Sequence, residues 1–176
     1  MFGKDELIAL ADKYETKDFL KKDPSRFMHD FLPENGGNIV DTEVIAFICA
    51  NLAFGRREQI LLSIKKILKM IDDDKKNPSQ WIIDENYKRY FDCTSQSFYR
   101  MYTCCDMRIF FDFIRKFLVE KGSLGEYFRD RWNKDSNNTY LHQTIAESFT
   151  KPCSLISQSK NGAAKKLNMF LRWMVR

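Results

Sequence analysis

Histidine is almost missing from this chain. Only His29 and His142 occur, and they form no His-x-x-x-His pair. The five cysteines, Cys49, Cys93, Cys104, Cys105 and Cys153, are odd in number and contain no Cys-x-x-Cys spacing. That set argues against a zinc site or a disulfide framework, and for reduced thiols that fill gaps in a core. The adjacent Cys104 and Cys105 would point about 100° apart on a helix, so they do not converge on one ion. No metal and no cofactor is expected. Also lacking is any run of about 18 apolar residues, so no membrane span is expected. The opening MFGKDELIAL carries charges inside its apolar part and has no small-residue cleavage site, unlike a secretory signal. The expectation is a cytoplasmic protein of bacterial type.

Alternating strands are lacking too, as are internal repeats. What is present is helical periodicity, in a length suited to one domain with a real core. Residues 2–20 carry an apolar stripe, and Asp23-Pro24 ends it. Residues 25–32 read as a short helical turn, and 33–38 as a loop. With Asp41 as the expected N-cap, VIAFICANLAF (44–54) is apolar on every side and reads as the central core helix. Gly55 ends it. An amphipathic helix follows from Arg56 to about Ile71, with Lys65, Lys66 and Lys69 facing outward. Pro78 starts a short helix through Trp81. Residues 84–105 read as two short helices. Met107–Glu120 is amphipathic and stops at Lys121-Gly122. Ser123 and Glu126 form a capping box for the next helix, which ends near Trp132. Another runs from Thr139 to about Phe149, and Pro152 breaks it. Trp81, Trp132 and Trp173 read as core packing. The fold class is all-α, a single compact domain over 1–176 with eight to ten helices.

Acidic residues are absent from the end of the chain. Residues 148–176 contain Lys151, Lys160, Lys165, Lys166, Arg172 and Arg176 and no Asp or Glu, while the other 147 residues carry 23 basic and 24 acidic side chains. The net charge of +5 therefore belongs to the final segment. A localised basic patch points to a phosphate-rich partner. The last stretch, GAAKKLNMFLRWMVR (162–176), is also apolar around most of a helix, so it calls for neighbours on most sides. Its ending without a terminator leads to the expectation of a longer parent sequence. Arg172, inside that helix, is expected to pair with a buried acid or carbonyl.

KKLNMFLRWMVR (165–176) closely resembles the signature K-R-L-N-M-F-L-R-W-M-V-R of an uncharacterised bacterial family. LAFGRREQI (52–60) and KDPSRFMHDF (22–31) resemble the same family's internal and early motifs, so the match covers most of the chain. That family is in turn distantly similar to the helix-hairpin-helix DNA glycosylases of the endonuclease III superfamily. The resemblance implies a glycosylase-like helical fold. It also implies a hairpin at Ser159-Lys160-Asn161-Gly162-Ala163, whose backbone N–H groups would hold a DNA phosphate. Ala164 stands where those hairpins carry a second glycine. A lysine shortly after the hairpin attacks the sugar in the lyase-active members, and Lys166 is the matching position, with Lys165 its neighbour. The family continues into an aspartate-threonine-histidine segment that this sequence does not include, so the chain reads as catalytically incomplete.

The resulting expectation is a module that binds duplex DNA and is related to DNA repair enzymes. Its DNA contacts are Lys160, Gly162, Lys165, Lys166, Arg56 and Arg57, and its candidate nucleophile is Lys166. Arg56-Arg57 also reads as a solvated helix start. The alternative is an all-helical interaction protein that self-associates through the apolar face of its terminal helix.

Overall fold

The computed structural model describes Gly3, Glu6, Ile8, Ala9 and Lys21, and residues 23–134, 140–156 and 164–174. Most of the stripe expected over 2–20 lies outside the described residues. The helices are α1 (Arg26–His29), α2 (Ile39–Leu52), α3 (Arg57–Asp73), α4 (Pro78–Ile83), α5 (Cys104–Lys121), α6 (Leu124–Lys134), α7 (Leu141–Ser148) and α8 (Lys165–Met174). Short 3-10 turns cover Pro33–Asn35 and Asn86–Arg89. Among the described residues, no helix is long and apolar enough to cross a membrane.

Helix α2 is the centre. Every residue from Val44 to Leu52 is buried, as an all-round apolar helix requires. Asn51, the one polar residue in that run, folds back to donate to the Phe47 carbonyl at 2.9 Å. Phe47 gathers the surrounding elements. Its ring stacks on Phe110 of α5 at 5.6 Å and on Phe149 at 6.2 Å, and meets the edge of Phe170 of α8 at 5.0 Å. Phe128 of α6 lies 6.0 Å away. Helices α1 and α8 pack directly on α2.

The helix begins earlier than expected. Asn38 is its N-cap, accepting from the Asp41 N–H at 2.9 Å. Asp41 instead reaches across and accepts from Ser79 N–H at 2.7 Å, which caps α4 from outside. Glu43 does the same for α6, accepting from Gly125 N–H at 3.1 Å. Burial raises the Glu43 carboxyl above its ordinary value despite that bond. At the far end of α3, Asp74 accepts from Trp81 Nε1 at 2.8 Å and from Tyr90 Oη at 3.1 Å, fixing the aromatic layer beside α4.

Residues 84–105 depart from the expected pair of helices. After the 3-10 turn, Ser97–Tyr99 (β1) and Tyr102–Thr103 (β2) form a small antiparallel hairpin with Arg100 and Met101 at its tip. Arg100 has φ +53°, the left-handed geometry that closes a tight turn. The expected helix at Met107 then starts three residues sooner, because Thr103 and Asp106 form a capping box.

Helix α8 corrects the expectation of a helix buried on most sides. Leu167, Phe170 and Trp173 are buried, while Lys165, Asn168 and Arg172 are exposed. Its apolar face is thus turned inward on α2. Arg172 is on the solvent side rather than in the core. Trp81 and Trp173 are core residues as expected, whereas Trp132 is only half-buried.

Candidate functional site

Lys166 sits in the first turn of α8 and is half-buried. Its ammonium donates to Tyr102 Oη at 3.1 Å and to the Leu155 carbonyl oxygen. It also lies 5.4 Å from the centre of the Tyr102 ring. None of these partners carries a full negative charge, so desolvation dominates. Burial lowers the amine to about 8, with the neighbouring Cys153 acting in the opposite sense. Burial likewise pushes the Cys153 thiol up to about 11 and raises the Tyr102 hydroxyl. At neutral pH all three groups hold their protons for most of the time. The amine, however, loses its proton readily compared with a solvated lysine, and a neutral amine is a nucleophile and a base.

Three chain segments build this site, and Asp106 ties two of them. Its carboxylate accepts from Thr103 N–H at 2.8 Å and Thr103 Oγ1 at 2.7 Å, which fixes the start of α5 and, one residue before it, Tyr102. The same carboxylate accepts from Ser154 Oγ at 2.6 Å, which anchors the segment carrying Cys153 and the Leu155 carbonyl. Burial alone would raise Asp106, but the hydrogen bonds from Ser154 and Thr103 outweigh it and hold the carboxyl below its ordinary value. The third segment is α8. Its first backbone bond runs from Asn168 N–H to the Ala164 carbonyl at 2.9 Å. Ala164 is buried with φ +42°, the left-handed region that favours glycine.

The hairpin links this lysine to the arginine pair. Tyr99 lies 6.5 Å from Tyr102 and donates to the Phe54 carbonyl at 2.6 Å, just before Gly55. Gly55 has φ +124°, and a Cβ there would come within 2.6 Å of Arg100 Nη1 and 2.8 Å of Tyr99 Oη. That φ is one that residues with a side chain rarely adopt, so glycine sets this turn, and the space over it takes the ends of the Arg100 and Tyr99 side chains. Arg100 lies over the exposed Phe54 ring at 5.1 Å, and Lys66 of α3 lies over Phe98 at 5.1 Å. Arg56 and Arg57, at the start of α3, are exposed. The result is a set of basic side chains, two of them over aromatic rings, on the hairpin, the Phe54 turn and α3.

Of the residues expected in the site, Lys165 is exposed on α8 beside Lys166, and Arg56 and Arg57 are exposed where the chain leaves Gly55. Lys160 and Gly162 lie outside the described residues. Tyr102, Cys153, Leu155, Asp106 and Arg100 were not anticipated. Thr103-Cys104-Cys105-Asp106 does carry a capping pattern of the Ser/Thr-x-x-acid kind, which would have located the start of α5. Tyr102 is 64 positions from Lys166, and no local signal marks that pairing. Among the described residues, no group of three or more His, Cys, Asp or Glu could hold a metal ion.

Comparison with known proteins yields one match. Residues 23–176 fit the family described as protein of unknown function (DUF2400). No curated protein matches the chain, and no solved structure does. The matched span includes α1 to α8, the hairpin and Lys166 with all its partners, and the chain belongs to the DUF2400 family.

Proposed function

We propose that this protein binds duplex DNA as a relative of the helix-hairpin-helix glycosylases, and that Lys166 reacts as an amine with a sugar carbonyl such as the aldehyde of an abasic site. The observation that carries the reading is the environment of Lys166. A lysine that only met phosphate would be solvated and fully charged. This one is half-buried against Tyr102 and the Leu155 carbonyl, and burial brings it down to about 8. In the reaction, the neutral amine adds to the aldehyde carbon. Loss of water then gives a protonated imine, with the proton for the departing hydroxyl supplied by solvent or by a neighbouring acid such as Tyr102.

Charge supports the same reading. The last 29 residues hold six basic side chains and no acid. Arg56, Arg57 and Arg100 add a second basic surface near the hairpin. Together they form a footprint for a phosphate backbone. The alternative, association between copies through α8, would have to use the polar face of Lys165, Asn168 and Arg172, since the apolar face is occupied in the monomer.

Binding is tested by titrating duplex DNA at several salt concentrations. The wild type should show affinity that falls steeply with salt. Lys160→Glu with Lys165→Glu should lower the salt slope by about 2 and weaken binding at least tenfold at low salt. Lys165 is exposed and neither site is the buried lysine, and a circular dichroism melt of the double variant checks that the fold is retained. An unchanged affinity in the double variant would remove the terminal segment from the interface.

A further inference from the structure

The five cysteines are free, but they are not equivalent. Cys49, Cys104 and Cys153 are buried, whereas Cys105 is half-buried and Cys93 is exposed. The first three fill gaps, as expected. The last two lie on segments that pair through the backbone. Cys105 N–H donates to the Thr94 carbonyl at 3.2 Å, and Cys104 N–H donates to the Gln96 carbonyl at 2.8 Å. These two bonds extend the hairpin ladder past β1 and β2 and lay residues 93–96 along the first turn of α5. Cys105 is thereby paired with Thr94, the chain neighbour of Cys93, so the two thiol-bearing residues lie on adjoining segments. Cys104, on the adjacent helix position, points into the core instead.

We propose that Cys93 and Cys105 form an oxidation site that closes to an intramolecular disulfide when the protein meets a hydroperoxide. Cys93, the exposed thiol, gives up its proton, and its thiolate attacks the peroxide oxygen. This forms a sulfenic acid and releases hydroxide, which takes up that proton to become water. The Cys105 thiol then attacks the Cys93 sulfur, forming the S–S bond. The sulfenic oxygen leaves with the Cys105 proton as a second water. In the balance, two thiols are oxidised and one hydrogen peroxide is reduced to two waters. A thiol reductant reverses it.

The consequence is structural and local. The bridge would close a loop whose contents are the hairpin, including Tyr99, Arg100 and Tyr102. Its second anchor, Cys105, adjoins Asp106, which holds both Thr103 and Ser154. Oxidation therefore pins at its base the hairpin that carries Tyr102, the hydroxyl partner of Lys166. The chemistry needs only the thiols and stands whether or not the lysine reacts with DNA.

The test exposes the full chain to hydrogen peroxide in slight excess and follows it by intact mass, thiol titration and peptide mapping. The expected result is a monomer that loses the mass of two hydrogen atoms and two of its five titratable thiols. A tryptic cross-link should join the peptide holding Cys93 to that holding Cys104 and Cys105, with fragment ions placing the bond on Cys105. The thermal midpoint should rise by several degrees and return on reduction. Cys93→Ser and Cys105→Ser should each abolish the cross-link, while Cys104→Ser retains it. Over-oxidation of Cys93 with Cys105 left free, a bond to Cys104, or a cross-link only between molecules would each overturn the proposal. Cys93 is exposed, so its serine variant keeps the fold and the comparison remains sound if another variant does not.

Discussion

Lys166 is the residue on which the reading turns, and its ionisation makes a prediction of definite sign. The folded chain lowers it from 10.5 to about 8. Between those values the unfolded chain binds a proton that the folded chain does not, so this group's contribution to stability rises with pH across that window and is constant outside it. Other groups work against it there. Buried thiols and tyrosines such as Cys153 and Tyr102 are raised, and they cost stability as pH climbs. The comparison must therefore be a difference. The denaturant stability of wild type minus that of Lys166→Met should increase from pH 8 to pH 10.5 and be flat below. A difference that stays level through the window would mean that the amine is solvated. The sequence marked Lys166 only through a resemblance. Its burial came from Tyr102 and Leu155, which residue types alone do not connect.

Among elements, those stabilised by their own sequence were legible. The period of α3 and α5, the start of α4 at Pro78, and the Ser123 cap of α6 all appear in the structure close to their expected places. The hairpin was not legible. Its strands are three and two residues long, too short to show alternation. What selects the hairpin is long-range: Tyr99 bonded to Phe54, and Gly55 leaving room for Arg100. The polarity of α8 was also misread. The stretch is apolar around most of the helix, yet Met169 and Leu171 are only half-buried, because α2 covers only one side. The start of α5 depends on Asp106. Asp106→Ala removes one side of the capping box and the Ser154 bond together. It should cost about 1–2 kcal/mol in urea denaturation, with Asp106→Asn losing less. A midpoint within error of wild type would show that neither bond matters to the fold.

At the scale of the molecule, one helix and one ring hold the parts together. Phe47 touches rings from α5, α6, α8 and the Phe149 segment, so deleting it opens a cavity where five pieces of chain meet. Phe47→Ala should cost about 3–5 kcal/mol by chemical denaturation. A loss below about 1 kcal/mol would place the centre of the core elsewhere. This centre lies on the far side of α8 from Lys165 and Arg172, and that separation lets one short helix serve the core and a basic surface at once. The DUF2400 family membership covers the whole arrangement but assigns it no chemistry. The most direct test of that chemistry is borohydride trapping. The protein is incubated with duplex DNA containing one abasic site, reduced, and resolved by denaturing electrophoresis. The account predicts a covalent complex with wild type and Lys165→Ala, and none with Lys166→Ala. No adduct with wild type, or equal trapping in Lys166→Ala, would contradict it.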